Sequence, residues 1–188
     1  MSYLKERFKK NSVQIIRHRN SFIPQLEAKD EPLIYVSKHF KHYLIADYEI
    51  NKITVIDPYM TVVDLQRLSM LFGGDAKNNL EVITKFEAYK REEVNKQTTI
   101  ETIVTGKERL VSNGLFNQIA IFHSNKAMHD RYFIFWKGDV IHSIFSIGGS
   151  LNQDFGGFIH IQEISDTYLQ DSVVHYYQML KESLEGEY

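Results

Sequence analysis

Apolar positions along the chain change period several times, and each change marks an element. Ser37 to Tyr48 carries Phe40, Tyr43 and Leu44 at helical spacing, with Ser37 placed to cap. Lys52-Ile53-Thr54-Val55-Ile56 is a β-branched run suited to a buried strand, and it ends at Asp57-Pro58-Tyr59, where Asp57 reads as a strand terminator. Thr61 and Asp64 then form a capping-box-like start, with Asp in place of Glu. Val62, Leu65, Leu68 and Phe72 make the stripe of that helix, and Gly73-Gly74 stops it. Leu80 to Thr84 is a second short strand, so the order strand, helix, strand predicts a parallel right-handed crossover.

The pattern then predicts a helix over Asn95 to Leu110 and a strand over Asn117 to Phe122. Arg131 to Trp136 and Val140 to Phe145 read as strands joined near Lys137-Gly138-Asp139, a hairpin signal. Phe158 to Ile164 follows as another strand. Ser165 or Asp166 caps a last helix, with Leu169, Val173, Tyr176 and Leu180 on its inner face. The fold class is α/β, a mixed β-sheet flanked by helices. Pro24 and Pro32 bracket a linker, dividing the chain into a basic appendage over 1–32 and a main domain over 33–188.

Composition narrows the chemistry. At 188 residues, 43% hydrophobic and 24% charged, the chain is an ordinary globular length and mixture. It has no cysteine, which excludes disulfides, thiolate metal sites and a thiol nucleophile, and the histidines show no metal-ligand spacing. No apolar run approaches the ~18 residues of a membrane span. The N-terminus lacks the apolar core of a secretory signal, so the expectation is a soluble cytoplasmic protein without integral membrane association. Net charge is −2, but unevenly spread. Met1 to Asn20 holds six basic side chains against one acidic, and Glu163 to Tyr188 six acidic against one basic. These ends are either solvated or mutually attracting faces, or the first is an arm for phosphates.

The candidate chemistry lies in Met128-His129-Asp130-Arg131, at the start of a strand, and in the Gly148-Gly149-Ser150-Leu151-Asn152 loop. His129 and Arg131 are two apart and so share a strand face. Gly149 admits close backbone approach, Ser150 brings a hydroxyl and Asn152 an amide, and Glu163 on the next strand can orient a histidine. Together these groups have the chemistry of a phosphate-ester site. Each has a plainer use: His129 as a turn residue beside Asp130, Arg131 as an ion-pair partner of Asp130 or Asp154, the glycine pairs as turns, Asn152 as a cap.

The ordered set His129-x-Arg131, Gly149-Ser150-x-Asn152 and Glu163 resembles the phospholipase D superfamily signature, and Val55-Ile56-Asp57-Pro58-Tyr59 followed by a helix resembles the opening strand and helix of that fold. The resemblance runs from Ile53 to Ile164. It departs in three places. The family lysine is Arg131, the family aspartate five residues on falls at Trp136, and the 18-residue interval from Arg131 to Gly149 is longer than the family's. The resemblance implies a phospholipase D-like half-domain and a metal-independent, cofactor-free phosphodiesterase, most often a nuclease. In it His129 forms a phosphohistidine, Arg131, Gly149, Ser150 and Asn152 hold phosphate oxygens, and Glu163 orients the histidine. One copy of the motif per chain implies a homodimer, whose two His129 loops meet at a two-fold axis. The alternative is a degenerate module that binds phosphates of nucleic acid, or less often lipid, within a larger DNA-transaction or defence assembly. In that alternative Arg131 for lysine and the missing aspartate mark a site that holds phosphate without cleaving it; in the family reading Asp130 or Asp139 substitutes structurally for that aspartate, and in either His123 and Lys126 add positive charge.

Overall fold

The computed structural model describes residues 37, 40, 44, 49–74, 78–86, 96–148 and 161–188. The proposed appendage over 1–32, and with it the division of the chain, lies outside these. So do Gly149, Ser150 and Asn152.

Two crossovers come first. Strand β1 (Lys52–Ile56) leads through helix α1 (Val62–Phe72) to β2 (Asn79–Thr84), and α2 (Lys96–Ser112) leads on to β3 (Gln118–Ser124). All three strands are parallel. The chain then returns antiparallel through β4 (Tyr132–Lys137), β5 (Val140–Ile147) and β6 (Ile161–Glu163). Helix α3 (Thr167–Lys181) and β7 (Leu184–Glu187) complete it. The sheet order is β6-β5-β4-β1-β2-β3-β7. The expected mixed α/β sheet flanked by helices is what forms.

Local chemistry explains the boundaries. The capping box is present in full: the Asp64 backbone N–H donates to the Thr61 hydroxyl, and the Thr61 N–H donates to the Asp64 carboxylate at 2.8 Å. Gly138, at φ +59°, occupies the first place of the two-residue β4–β5 turn, where a side chain would be strained. The Asp166 carboxylate, not Ser165, caps α3 by accepting from the Leu169 N–H.

Period-two alternation then sorts each strand between two cores. Ile53, Val55, Leu80, Val82, Ile119, Ile121, Phe133, Phe135 and Phe145 pack under α1, α2 and Phe40. Ile56, Ile83, Ile134, Trp136 and Ile144 pack with Val173 and Leu180 of α3. The expected inner face of α3 needs one correction. Leu169 is 53% exposed, because it lies in the first turn, where the helix overhangs an open cleft.

Two further expectations change. Residues 37, 40 and 44 are helical, and Tyr43 is outside the described residues. Ser37 lies inside helix rather than capping it, and its hydroxyl donates to the Met70 carbonyl at 3.0 Å. Strand β7 is an element that hydrophobic patterning passes over, because Leu-Glu-Gly-Glu reads as an acidic tail.

Candidate functional site

The parallel strands β1, β2 and β3 end at one edge of the molecule. The antiparallel β4 begins there and β5 ends there. The β1–β4 ladder runs Val55 opposite Phe133 and Ile56 opposite Tyr132, so its next pair is Asp57 opposite Arg131. On the other side of β1, the Asp57 N–H donates to the Ile83 carbonyl and continues the β1–β2 ladder toward Thr84, which pairs with His123. On the far side of β4, the Ile147 N–H donates to the Arg131 carbonyl. Arg131, Asp57, Thr84 and His123 thus form the terminal row of the sheet, on the face that carries Phe133, Val55, Val82 and Ile121.

Arg131 is the centre of this row. Its Nε lies 3.4 Å from Asp57 Oδ2, and its guanidinium carbon lies 5.1 Å from the Tyr59 ring centroid. The Arg131 side chain is 18% exposed and that of Asp57 3%. The pair is incomplete as a hydrogen bond. Arg131 Nε is buried and finds no acceptor among the described residues. Asp57 Oδ1 accepts from the Tyr59 N–H at 2.8 Å. Burial pushes the Asp57 carboxyl up to about 6. The Tyr59 N–H and the Arg131 charge pull the other way, and the Asp64 charge adds to the rise. Asp64 is itself raised by burial, against its bonds from Thr61 and Arg67.

His129 lies in the loop between β3 and β4. Met128 is buried among Ile56, Ile83 and Ile134, and this anchor turns the flanking Ala127 and His129 to solvent. The structure therefore places an exposed imidazole two residues from Arg131 at the same strand end.

The other expected residues divide. Glu163 is on edge strand β6, opposite Phe145. The row of Arg131 passes through Ile147 to Ile161, which sets Glu163 two strands across and two residues along, about 12 Å from Arg131 between Cα atoms. By register Glu163 shares the sheet face of Phe145 and Phe133, and it also borders a cleft of about 550 Å³ bounded by Asp130, Tyr132, Gln162, Asp166 and Tyr176. Neither suggested stand-in for the family aspartate reaches Arg131. Asp130 faces that cleft, and Asp139 sits in the β4–β5 turn at the opposite end of the strands. The position that would hold the family aspartate, Trp136, is core, and its Nε1 donates to the Thr54 hydroxyl at 2.9 Å. His123 is not a free contributor of positive charge. It pairs with Glu185 of β7 at 2.9 Å and stacks on Phe86.

No protein-family model matches the chain, and no curated protein matches it. Among solved structures it is similar to TrmBL2, described as an archaeal chromatin protein with a novel mode of DNA binding. Identity is 11% and the TM-score 0.42, over 97% of this chain. The chain spans 60% of that one's length. A likeness of this size decides nothing about the site. No helix among the described residues is long and apolar enough to cross a membrane.

Sequence reasoning named His129 and Arg131 and read Asp57 as a strand terminator; the structure sets Asp57 and Tyr59 against Arg131. The signal for Asp57 was present in kind: a carboxylate directly after a β-branched strand, at the edge where the parallel strands end, where α/β proteins place ligands.

Proposed function

We propose that this chain is a phosphodiester-binding module of phospholipase D-like type, with nucleic acid as its ligand and Arg131 as the principal phosphate contact. The observation that carries the reading is the state of the Arg131 guanidinium. It is held at the strand ends between one carboxylate and one ring, partly open to solvent, with a buried N–H that lacks an acceptor among the described residues. A planar guanidinium presents paired donors that match two phosphate oxygens, and its charge persists at any ordinary pH. In this reading the exposed His129 adds a second contact, and Ser150 and Asn152, which follow β5 in sequence, supply the hydroxyl and amide.

A second reading is hydrolysis, favoured by one observation, the solvent exposure of His129 in the loop that leads to Arg131. In it, His129 of one copy forms a bond to phosphorus and the ester P–O bond breaks. The leaving oxygen takes its proton from His129 of a second copy, so the protein would be a homodimer. That second histidine then accepts a proton from water, whose oxygen displaces the phosphohistidine nitrogen. Glu163 would orient one imidazole. Binding ranks first because the place of the family aspartate is taken by the buried Trp136.

The test is fluorescence anisotropy of labelled single- and double-stranded DNA and RNA in excess EDTA, with cleavage followed on gels. Under the binding reading Arg131→Gln weakens affinity at least tenfold, His129→Ala weakens it less, and nothing is cleaved. Cleavage that persists in EDTA and vanishes in His129→Ala establishes the second reading. Equal affinity for wild type and Arg131→Gln overturns both.

A further inference from the structure

The terminal row puts a buried acid and the proposed phosphate contact side by side, so an arriving anion meets a carboxylate already facing the guanidinium. Asp57 Oδ2 is 3.4 Å from Arg131 Nε, and the Asp57 side chain is almost entirely out of water. A phosphodiester seated on the guanidinium would bring a second negative charge within a few ångströms of the carboxylate, across protein rather than solvent. Like charges at that separation disfavour one another's ionised forms strongly. We propose that Asp57 is an internal anion that competes with phosphodiester for Arg131, so that ligand binding protonates Asp57. This rests on the reading of Arg131 as the phosphate contact.

The surroundings of Asp57 favour the exchange. From the loop after β1, the Tyr59 N–H donates to Oδ1, and this bond keeps the carboxyl oriented in either protonation state. From α1, Asp64 adds negative charge nearby, itself paired with Arg67 at 3.1 Å. From β2, the neighbour in the row is the uncharged Thr84. From β4 comes Arg131. Beyond Thr84, His123 is occupied by Glu185, and His129 stands in the loop before Arg131. Burial already brings the carboxyl up to about 6, so a modest further push suffices for it to take a proton near neutral pH. By linkage, the same coupling makes affinity depend on pH, and a protein competent only when Asp57 is neutral binds weaker by the competent fraction.

The experiment is calorimetric titration of the full chain with an unlabelled short oligothymidylate. Its phosphodiesters keep a constant charge across the range used, about pH 5.5 to 7.5, unlike a phosphate monoester. Wild type is compared with Asp57→Asn, which removes the charge and keeps the oxygen that accepts from Tyr59. Protonation of imidazoles acts in both proteins, so the difference between them reads Asp57. The expected result has three parts. Wild type gains on the order of tenfold affinity from pH 7.5 to 5.5 beyond any gain in the variant. Asp57→Asn binds about tenfold tighter than wild type at pH 7.5. Binding heats of wild type at pH 7.5 change with the ionisation enthalpy of the buffer, in the sense of proton uptake.

Equal pH dependence in the two proteins, with no proton uptake by wild type, overturns the proposal and leaves the phosphate site standing. The double variant Asp57→Asn with Arg131→Gln, which strands no buried charge, separates the other failure. If it binds as Asp57→Asn does, Arg131 is not the contact and both readings fall. Should Asp57→Asn not fold, proton uptake is read in His129→Ala, which lacks the exposed imidazole of the site: uptake retained there supports the proposal and uptake lost overturns it.

Discussion

An ionised carboxyl at 3% exposure is an expensive thing to keep, and Asp57 carries that cost at neutral pH. Its carboxyl stands near 3.8 in an unfolded chain and at about 6 in the fold. The native chain therefore holds the proton more tightly. Stability from this group is full below about pH 4, falls as pH rises toward 6, and stays lost above that. Asp57→Asn is thus expected to be more stable than wild type at about pH 7.5, by about 1–3 kcal/mol, and to lose that advantage near pH 4. Urea unfolding at the two pH values checks it. A buried acid that weakens the fold at neutral pH is a candidate for function rather than packing. The sequence set His129 and Arg131 on one strand face, but β4 begins only at Tyr132, so His129 stands in the preceding loop, where the period of two does not fix its direction. The sequence did not show Asp57 as a neighbour of Arg131, because that contact depends on which strands lie side by side, and patterning is silent on order.

Helices were the more legible elements, since their ends are local chemistry. Thr61 with Asp64, and Asp166 with Leu169, cap as their spacing indicated. How the helices meet was less legible. A Cβ on Gly106 of α2 would sit 2.8 Å from Val62 Cγ2 of α1, and valine is stiff at χ1. Gly106→Ala is expected to cost about 1–2 kcal/mol even though alanine favours helix, through overpacking at this crossing. Adding Val62→Ala should return part of that loss, a coupling that a double-mutant cycle in thermal unfolding measures.

On the opposite face, Glu81 of β2 accepts from the Thr54 hydroxyl at 3.0 Å, the Tyr177 hydroxyl at 2.9 Å and the Lys181 ammonium at 2.8 Å. Burial raises the Glu81 carboxyl, but its bonds from Lys181 and Tyr177 more than reverse this and hold it below the usual range. Its contribution is complete above the ordinary glutamate value and is lost as pH falls through the lowered one. Glu81→Ala should cost about 2–4 kcal/mol at neutral pH and less in acid, read as unfolding midpoints in urea. These anchors of α3 were invisible beforehand, because a lone glutamate in a strand reads as a solvent-facing position. Strand β7 was missed for a related reason. Glu185 and Glu187 look like tail charges until His123 is seen to receive one of them.

The seven strands among the described residues form one sheet that brings the parallel crossovers and the antiparallel return together at β1 and β4, and the proposed site lies on that seam. The number of copies per particle separates the two functional readings. Hydrolysis through paired His129 loops requires a dimer, whereas phosphate binding by Arg131 is complete in one chain. Light scattering at micromolar concentration is expected to show dimers if cleavage is found in EDTA, and a strictly monomeric particle would exclude the shared-histidine route. Salt gives a further reading of the ligand. With one or two phosphates engaged per copy, affinity for single strands should fall with a slope of about −1 in log–log form.

The seam also imposes an order of events during synthesis. Asp57 leaves the ribosome 74 residues before Arg131. In that interval β1 can pair with β2 but has no β4 along its other side, and the carboxylate has no cation opposite it. The acid of the pair is thus made first, and its cation is delivered only with the β4–β5 hairpin. Until that hairpin docks, nothing on the β4 side of β1 offsets the charge of Asp57, so the seam closes last at the point where the proposed site lies.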